Sequence, residues 1–220
     1  MDARLFAIGD IHGCFDSFRE LVETQIELKK DDKLILLGDY IDRGNQSKEV
    51  IDYIIELQQR GFDITPLLGN HEAMLLNAFE NEIKLFIWIQ NGGQATLNSF
   101  AINSLKDLDR RYIDFFKGLN YFIAIGEYLF VHGGFNDAGM NPLDDKEFMI
   151  WESNKKYSNP LFKNKTIVHG HRPVTVAVCK ESILNNNKVI NLDTGRVYSG
   201  TPGYGKLTAL ELNTKSLYFA

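Results

Sequence analysis

Five times along this chain an apolar run meets a glycine together with Asp, Asn or His: "GDIHG" at 9–13, "GDYIDRG" at 38–44, "GNHE" at 69–72, "VHGG" at 131–134 and "VHGHRP" at 168–173. All five histidines of the chain, His12, His71, His132, His169 and His171, fall in these stretches. Polar groups placed where buried strands stop are what an α/β sheet brings together, because ligands gather at the carboxyl ends of its strands. This pattern restricts the fold more than any other feature of the sequence.

The segments between the motifs agree with it. "ARLFAIG" (3–9), "KLILLG" (33–38) and "DITPLLG" (63–69) read as buried strands. Each precedes a helical segment: the amphipathic "FDSFRELVETQIELKK" (15–30), "SKEVIDYIIELQQRG" (47–61) and "EAMLLNAFE" (72–80). In the second helix Ser47 is expected to cap and Gly61 to terminate. Three βα units predict a parallel or mixed sheet. The segment from 73 to 120 reads as mainly helical and cap-like. Beyond it a hairpin across Gly126 and Glu127, then strands near 166–169, 174–179, 188–192, 207–212 and 216–219, predict a second sheet. With no linker or repeat, 1–220 reads as a single domain.

Composition narrows the function classes. At 220 residues, 44% hydrophobic and 24% charged, the chain has the makeup of a globular protein with a substantial core. Its formal charge of -5 supplies no global attraction for nucleic acid or an anionic membrane, so no binding to either is expected. No leader and no apolar run of membrane-spanning length is evident, and Cys14 and Cys179 form no disulfide framework, so the expected location is cytoplasmic with both thiols free. No G-x-G-x-x-G follows the first strand, which argues against a Rossmann nucleotide binder.

Mixed oxygen and imidazole donors suit manganese, iron or zinc rather than calcium, and the supply is enough for two ions with Asp39 able to bridge. Two divalent ions, two ligand carboxylates (Asp10 and Asp39), neutral imidazoles and a neutral Asn amide leave a formal excess of +2. That excess suits a hydroxide and a phosphate, so phosphoester hydrolysis is the natural reaction class. Singly, each residue has a plainer explanation: Asp10 or Asp39 as a turn or helix cap, His71 as a helix-start residue, Arg43 as a solvated charge. Five matched occurrences are hard to explain as five independent turns.

The ordered set resembles the phosphoprotein phosphatase branch of the calcineurin-like metallophosphoesterases. "WIQNGG" (88–93) and "NLDTGRVYSG…LTALEL" (191–212) resemble its small bacterial and phage members, so the likeness covers nearly the whole chain. The resemblance implies a sandwich of two mixed β-sheets flanked by helices. It implies two divalent transition-metal ions, manganese first and iron or zinc as alternatives. Asp10, His12 and Asp39 would hold one, and Asp39, Asn70, His132 and His171 the other. His71 would protonate the leaving oxygen, Asp42 would orient it, and Arg43 would grip the phosphate.

An amide oxygen ligates without cancelling the site's positive charge, which rationalises Asn70. A buried pairing with Asp42 would keep His71 protonated. Glu72 reads as a helix-start residue that also braces the loop. The resemblance departs at Ser153, where family members of this type often carry a second phosphate-gripping arginine; Lys155, Lys156 or Arg196 are the candidate replacements. His169 reads as a core or supporting residue rather than a ligand, and Cys14 as packing. The expected activity is that of a Ser/Thr protein phosphatase-type phosphomonoesterase using a metal-bridging hydroxide on a phosphorylated protein, peptide or small phosphoester. The alternatives are a dinucleoside polyphosphate hydrolase and, from another class, a non-catalytic metal-binding scaffold.

Overall fold

The computed structural model describes residues 3–220. Its first half alternates strand and helix: β1 (Leu5–Ile8), α1 (Phe15–Glu20, continued by a wider turn over Leu21–Gln25), β2 (Lys33–Leu36), α2 (Ser47–Gln59), β3 (Asp63–Pro66) and α3 (Asn70–Asn77). Three further helices follow, α4 (Glu82–Trp88), α5 (Gln94–Ser99) and α6 (Arg110–Lys117), so the helical reading of 73–120 agrees with the structure. The second half holds β4 (Phe122–Ile125), β5 (Tyr128–Val131), α7 (Lys146–Trp151), β6 (Thr166–His169), α8 (Val176–Leu184), β7 (Val189–Asn191), β8 (Thr208–Glu211) and β9 (Ser216–Phe219).

Two mixed sheets result. In the first, ordered β3-β2-β1-β8-β9, the first three strands in sequence run parallel and β8 and β9 pair antiparallel. In the second, ordered β4-β5-β6-β7, the hairpin β4–β5 turns at Gly126 (φ 59°) and β5, β6 and β7 run parallel. Alternation along each strand separates the faces. Ala7, Ile35 and Leu210 of the first sheet pack against Phe130, Val168 and Ile190 of the second. The other face of the first sheet, Phe6, Ile8, Leu34 and Leu36, is covered by the helices, while Leu129, Val131 and Ile167 on the second sheet's outer face pack under Phe135, Met149 and Phe162.

The strand expected over 174–179 is instead the start of α8. Its Val-rich, β-branched composition suggested a strand, but the Thr175 hydroxyl accepts from the Val178 N–H at 3.3 Å and caps a helix. Ser47 likewise does not cap α2. It is that helix's first residue, and its hydroxyl accepts from the Asp42 N–H at 3.2 Å, 3.2 Å from Thr96 Oγ1. The first helix stops near residue 25, short of the 30 expected.

Candidate metal and active centre

The carboxyl ends of five parallel strands deliver the motifs to one edge of the sandwich. Asp10 follows β1, Asp39 follows β2, Asn70 and His71 follow β3, His132 follows β5 and His171 follows β6. Two glycines explain why the polar residues need that neighbour. A Cβ on Gly69 would overlap Asp39 Oδ1 and the Asp39 N atom, and a Cβ on Gly170 would overlap Asp10 Oδ1.

Local backbone strain marks the same place. Among the described residues, nine other than glycine have positive φ, and His12 (45°), Asp39 (53°), Asp42 (70°), Arg43 (68°) and His171 (71°) are five of them. Each such conformation costs on the order of 1–3 kcal/mol and persists only where the surroundings impose it. Here Glu72 does much of the imposing. Its carboxylate accepts from the N–H groups of Asp39 (2.9 Å), Tyr40 (2.8 Å), Ile41 (3.3 Å) and Gly69 (3.1 Å), which stitches the second motif to the third. Burial and the Asp39 charge push Glu72 up to about 8, against those backbone donors.

Two three-residue groups share Asp39: His12, Asp39 and His71, and Asp39, His132 and His171, each with donor atoms within 4.8 Å of one another. Asp39 divides its oxygens between them, Oδ2 facing His12 Nε2 at 3.5 Å and Oδ1 facing His132 Nε2 at 3.4 Å. Asn70 Oδ1 lies between His132 Nε2 (3.0 Å) and His171 Nδ1 (2.9 Å). Asp10 belongs to neither group; both its oxygens accept from the His171 N–H at 3.1 Å.

The tautomers follow from the backbone. A carbonyl can only accept, so the nitrogen facing it carries the proton. His12 Nδ1 donates to Ile41 O (2.9 Å), His132 Nδ1 to Leu37 O (2.9 Å) and His171 Nε2 to Trp151 O (2.8 Å). His132 and His171 therefore turn bare lone pairs inward, while that of His12 faces Arg43 Nη1 at 2.7 Å, and all three rings are fixed by the outer hydrogen bond as ligating histidines are. Burial lowers all three, His12 and His171 to about 3, so they are neutral. The Asn70 oxygen thus meets two acceptor nitrogens at hydrogen-bond distance with no proton between them. Burial and the charges of Asp193 and Asp39 push Asp10 well above the usual carboxylate range. Acceptors crowded against acceptors, with carboxylates repelling one another, fit cations, and the donor set fits two.

His71 is held differently. Its Nδ1 lies 2.7 Å from Asp42 Oδ2, and although burial opposes its charge, Asp39 and Asp42 raise its pKa above the ordinary value. Asp42 is fully buried and receives the Thr96 hydroxyl on Oδ1 (2.6 Å) and the Trp88 Nε1–H (2.9 Å to Oδ2). Arg43 is exposed, with Nη1 2.7 Å from His12 Nε2.

The calcineurin-like phosphoesterase profile matches residues 3–201. The chain belongs to the calcineurin-like phosphoesterase family. Members hydrolyse phosphoester bonds and depend on two metal ions. The chain is 28% identical to the asymmetrical bis(5'-nucleosyl)-tetraphosphatase PrpE of Anoxybacillus flavithermus over 96% of this chain and 92% of that protein. It is 27% identical to serine/threonine-protein phosphatase 2 of Salmonella typhimurium over 92% of each. Curated relatives with higher local identity, 30% to 40%, are spanned over only 22% to 43% of their length. A cold-active protein tyrosine phosphatase of solved structure shares the fold, with a TM-score of 0.68 at 19% identity over 100% of this chain and 79% of that one.

Against this family frame, the expected site residues Asp10, His12, Asp39, Asp42, Asn70, His71, His132 and His171 come together, and Arg43 reaches them. The three candidates for the missing phosphate-gripping arginine are placed by other contacts. Arg196 Nε donates to Ser17 Oγ (2.7 Å), and Lys155 and Lys156 line a groove on the second sheet. His169 lies outside both groups, donating Nδ1–H to Gly170 O (3.0 Å). Sequence reasoning passed over Trp88 and Thr96, 46 and 54 residues from the carboxylate they hold. It also passed over Asp193, which follows β7 as Asp10 follows β1 and which burial pushes up to about 7. The apolar run before it, "VINLDTG", carries the same signal as the five motifs.

Among the described residues no helix is long and apolar enough to cross a membrane.

Proposed function

We propose that the chain is a phosphomonoesterase of the Ser/Thr protein phosphatase type, acting on phosphorylated peptide segments. The observation that carries the hydrolytic reading is Asp39, whose two carboxylate oxygens each face a separate set of imidazoles. Asp10, His12 and Asp39 would hold one transition-metal ion and Asp39, Asn70, His132 and His171 the second, manganese being the metal we expect. Two such ions supply charge that polarises the phosphoryl group and lowers the pKa of water.

The remaining work falls to the chain's own groups. His71, charged through its contact with Asp42, gives its proton to the departing oxygen, and Asp42 fixes the ring so that the proton sits at a defined position. The Trp88 and Thr96 donors hold Asp42 in turn. Arg43, exposed beside His12, offers a planar fork to the phosphoryl oxygens. A loaded centre would carry an excess of positive charge, which suits a dianionic monoester.

A second reading, hydrolysis of dinucleoside tetraphosphates, is favoured by the full-length likeness to a bis(5'-nucleosyl)-tetraphosphatase. The deciding experiment compares kcat/KM for phosphoserine and phosphothreonine peptides, an aryl phosphate and a dinucleoside tetraphosphate at one manganese concentration. The phosphatase reading expects the peptides to be preferred. A preference of more than about tenfold for the nucleotide, about 1.4 kcal/mol of transition-state binding, overturns it.

A further inference from the structure

The outer face of the second sheet carries a cleft that begins beside the candidate centre and ends in lysine. Ile167 and His169 of β6 point to the same face as Val189 and Asn191 of β7, their register partners. A cavity of about 500 Å³ covers His169, Val189 and Asn191 and reaches Ser153 and Arg172. Arg172 follows His171, and both donate to the Trp151 carbonyl, so this end of the cleft adjoins the centre. A second cavity of about 320 Å³ covers Ile167 and Val189, and Lys155, Asn187 and Val189 line both, so the two adjoin.

The far cavity is lined by Lys155, Lys156, Lys163, Lys165 and Lys188, and by no carboxylate. Lys155, Lys156 and Lys163 have no ion-pair or hydrogen-bond partner among the described residues. Lys188 faces Glu127 Oε2 at 3.9 Å and Lys165 donates to Gly126 O at 2.9 Å, so the three lysines left unpaired form a local positive field, in a chain of net charge -5, that favours an anionic ligand. The near cavity is different: Val174 and Val178 give it an apolar wall, Asn185 and Asn187 give it amides, and Glu181 is its acid. No Phe, Tyr or Trp lines it, and the two that line the far cavity, Tyr157 and Phe162, pack on each other and Phe162 on Phe135. His169 is 5% exposed, and with Nδ1 given to Gly170 O its Nε2 has no partner among the described residues. No fully enclosed polar side-chain atom lacks a partner, so this acceptor opens into the cleft.

We infer that the cleft docks an extended peptide and that its lysine end recognises carboxylates distant from the phosphorylated residue. This deepens the phosphatase reading and rests on it. From His171 to Ile167 a strand spans about 13 Å, which an extended peptide crosses in about four residues. Acidic residues four to six positions from the phosphoresidue reach the lysines, and those next to it do not. Amides and the His169 acceptor meet the intervening backbone. A nucleotide would need free cations near the centre, whereas Arg172 at that end is paired with Glu152 Oε2 at 3.3 Å and the unpaired lysines gather at the far end.

The test uses Lys156→Gln/Lys163→Gln, both exposed positions, alongside the wild-type protein. A fluorescein-labelled, non-phosphorylated peptide with three consecutive glutamates is titrated by anisotropy at low and high salt. The cleft predicts binding to wild type that weakens with salt, and roughly tenfold weaker binding to the double variant. Equal affinity for both proteins overturns the inference.

Turnover is then measured for phosphoserine peptides with glutamates at positions four to six and with glutamines there. Wild type is expected to prefer the acidic peptide about tenfold through KM, and the double variant to lose that preference. Equal KM values in wild type overturn the docking inference and leave the phosphatase reading standing. Absence of phosphopeptide turnover, with a dinucleoside tetraphosphate consumed, overturns the phosphatase reading and this inference with it.

Discussion

His71 and Asp42 form a buried pair, Nδ1 to Oδ2 at 2.7 Å, with side chains 1% and 0% exposed. With its outer nitrogen held there and its pKa raised by Asp39 and Asp42, the other, Nε2, 3.9 Å from Asp39 Oδ2 within the His12–Asp39–His71 group, carries a proton rather than a bare lone pair. This separates His71 from the lone pairs of His12, His132 and His171. His71→Asn is therefore expected to keep both metal ions and lose roughly 10²- to 10⁴-fold in rate, the scale of a positioned proton donor. The loss should shrink for aryl phosphates with acidic leaving groups. Metal analysis and a leaving-group series check this, and release of a metal by the variant would assign His71 to the ligands.

Trp88 is expected to act through Asp42. Trp88→Phe removes the indole donor to the carboxylate and should lower kcat for alkyl phosphates by about 10- to 100-fold with metal content unchanged, as loss of an outer hydrogen bond does. Stability should fall by about 1–3 kcal/mol, because the site is fully buried. A fall in kcat equal for all leaving groups would mean that Trp88 only packs.

Much of this centre was legible because strand ends write themselves in sequence: an apolar run, a glycine, then Asp, Asn or His. Gly69 and Gly170 show the cause, since their missing Cβ atoms make room for Asp39 and Asp10. The reading failed where composition and local chemistry disagree with tertiary context. Residues 174–179 look like a strand because valine is β-branched, yet one hydroxyl, that of Thr175, starts a helix there. Ser47 looks like a cap but turns to Asp42, and Trp88 and Thr96 find Asp42 only once α4 and α5 have packed over the second motif. Of the positive φ values, those of Asp39 and Asp42 fall on a residue type that adopts them more readily, but that of Arg43 carries no signal in residue type.

Gly69→Ala tests the crowding directly. The added methyl has no room beside the Asp39 carboxylate and backbone, so it should displace Asp39 and weaken metal binding by at least tenfold, with about 1–3 kcal/mol of overpacking cost. Isothermal titration with manganese and a thermal melt measure the two effects. Unchanged affinity would remove Gly69 from the argument.

Acid stability should depend on Asp32, far from the centre. Burial opposes its ionisation, but Arg4 Nε (3.0 Å) and the N–H groups of Lys29 (2.8 Å) and Arg4 (3.3 Å) hold its pKa below the usual carboxylate value. A carboxylate whose folded pKa is depressed stabilises the fold above its unfolded pKa, and that contribution is lost as pH falls through the folded value. Asp32→Ala should cost about 2 kcal/mol near neutrality, and the gap should close as pH drops below about 4. Urea melts from pH 7 to pH 3 check it, and a gap independent of pH would contradict the ion-pair account.

The central claim is that two metal ions share Asp39. Elemental analysis of the metal-stripped protein reloaded with manganese, followed by desalting, measures it most directly, with Asp39→Asn alongside. The account predicts two ions per wild-type chain, loss of hydrolysis on chelation with recovery only as the second ion returns, and loss of metal from Asp39→Asn. Saturation and full activity at one ion per chain would contradict it.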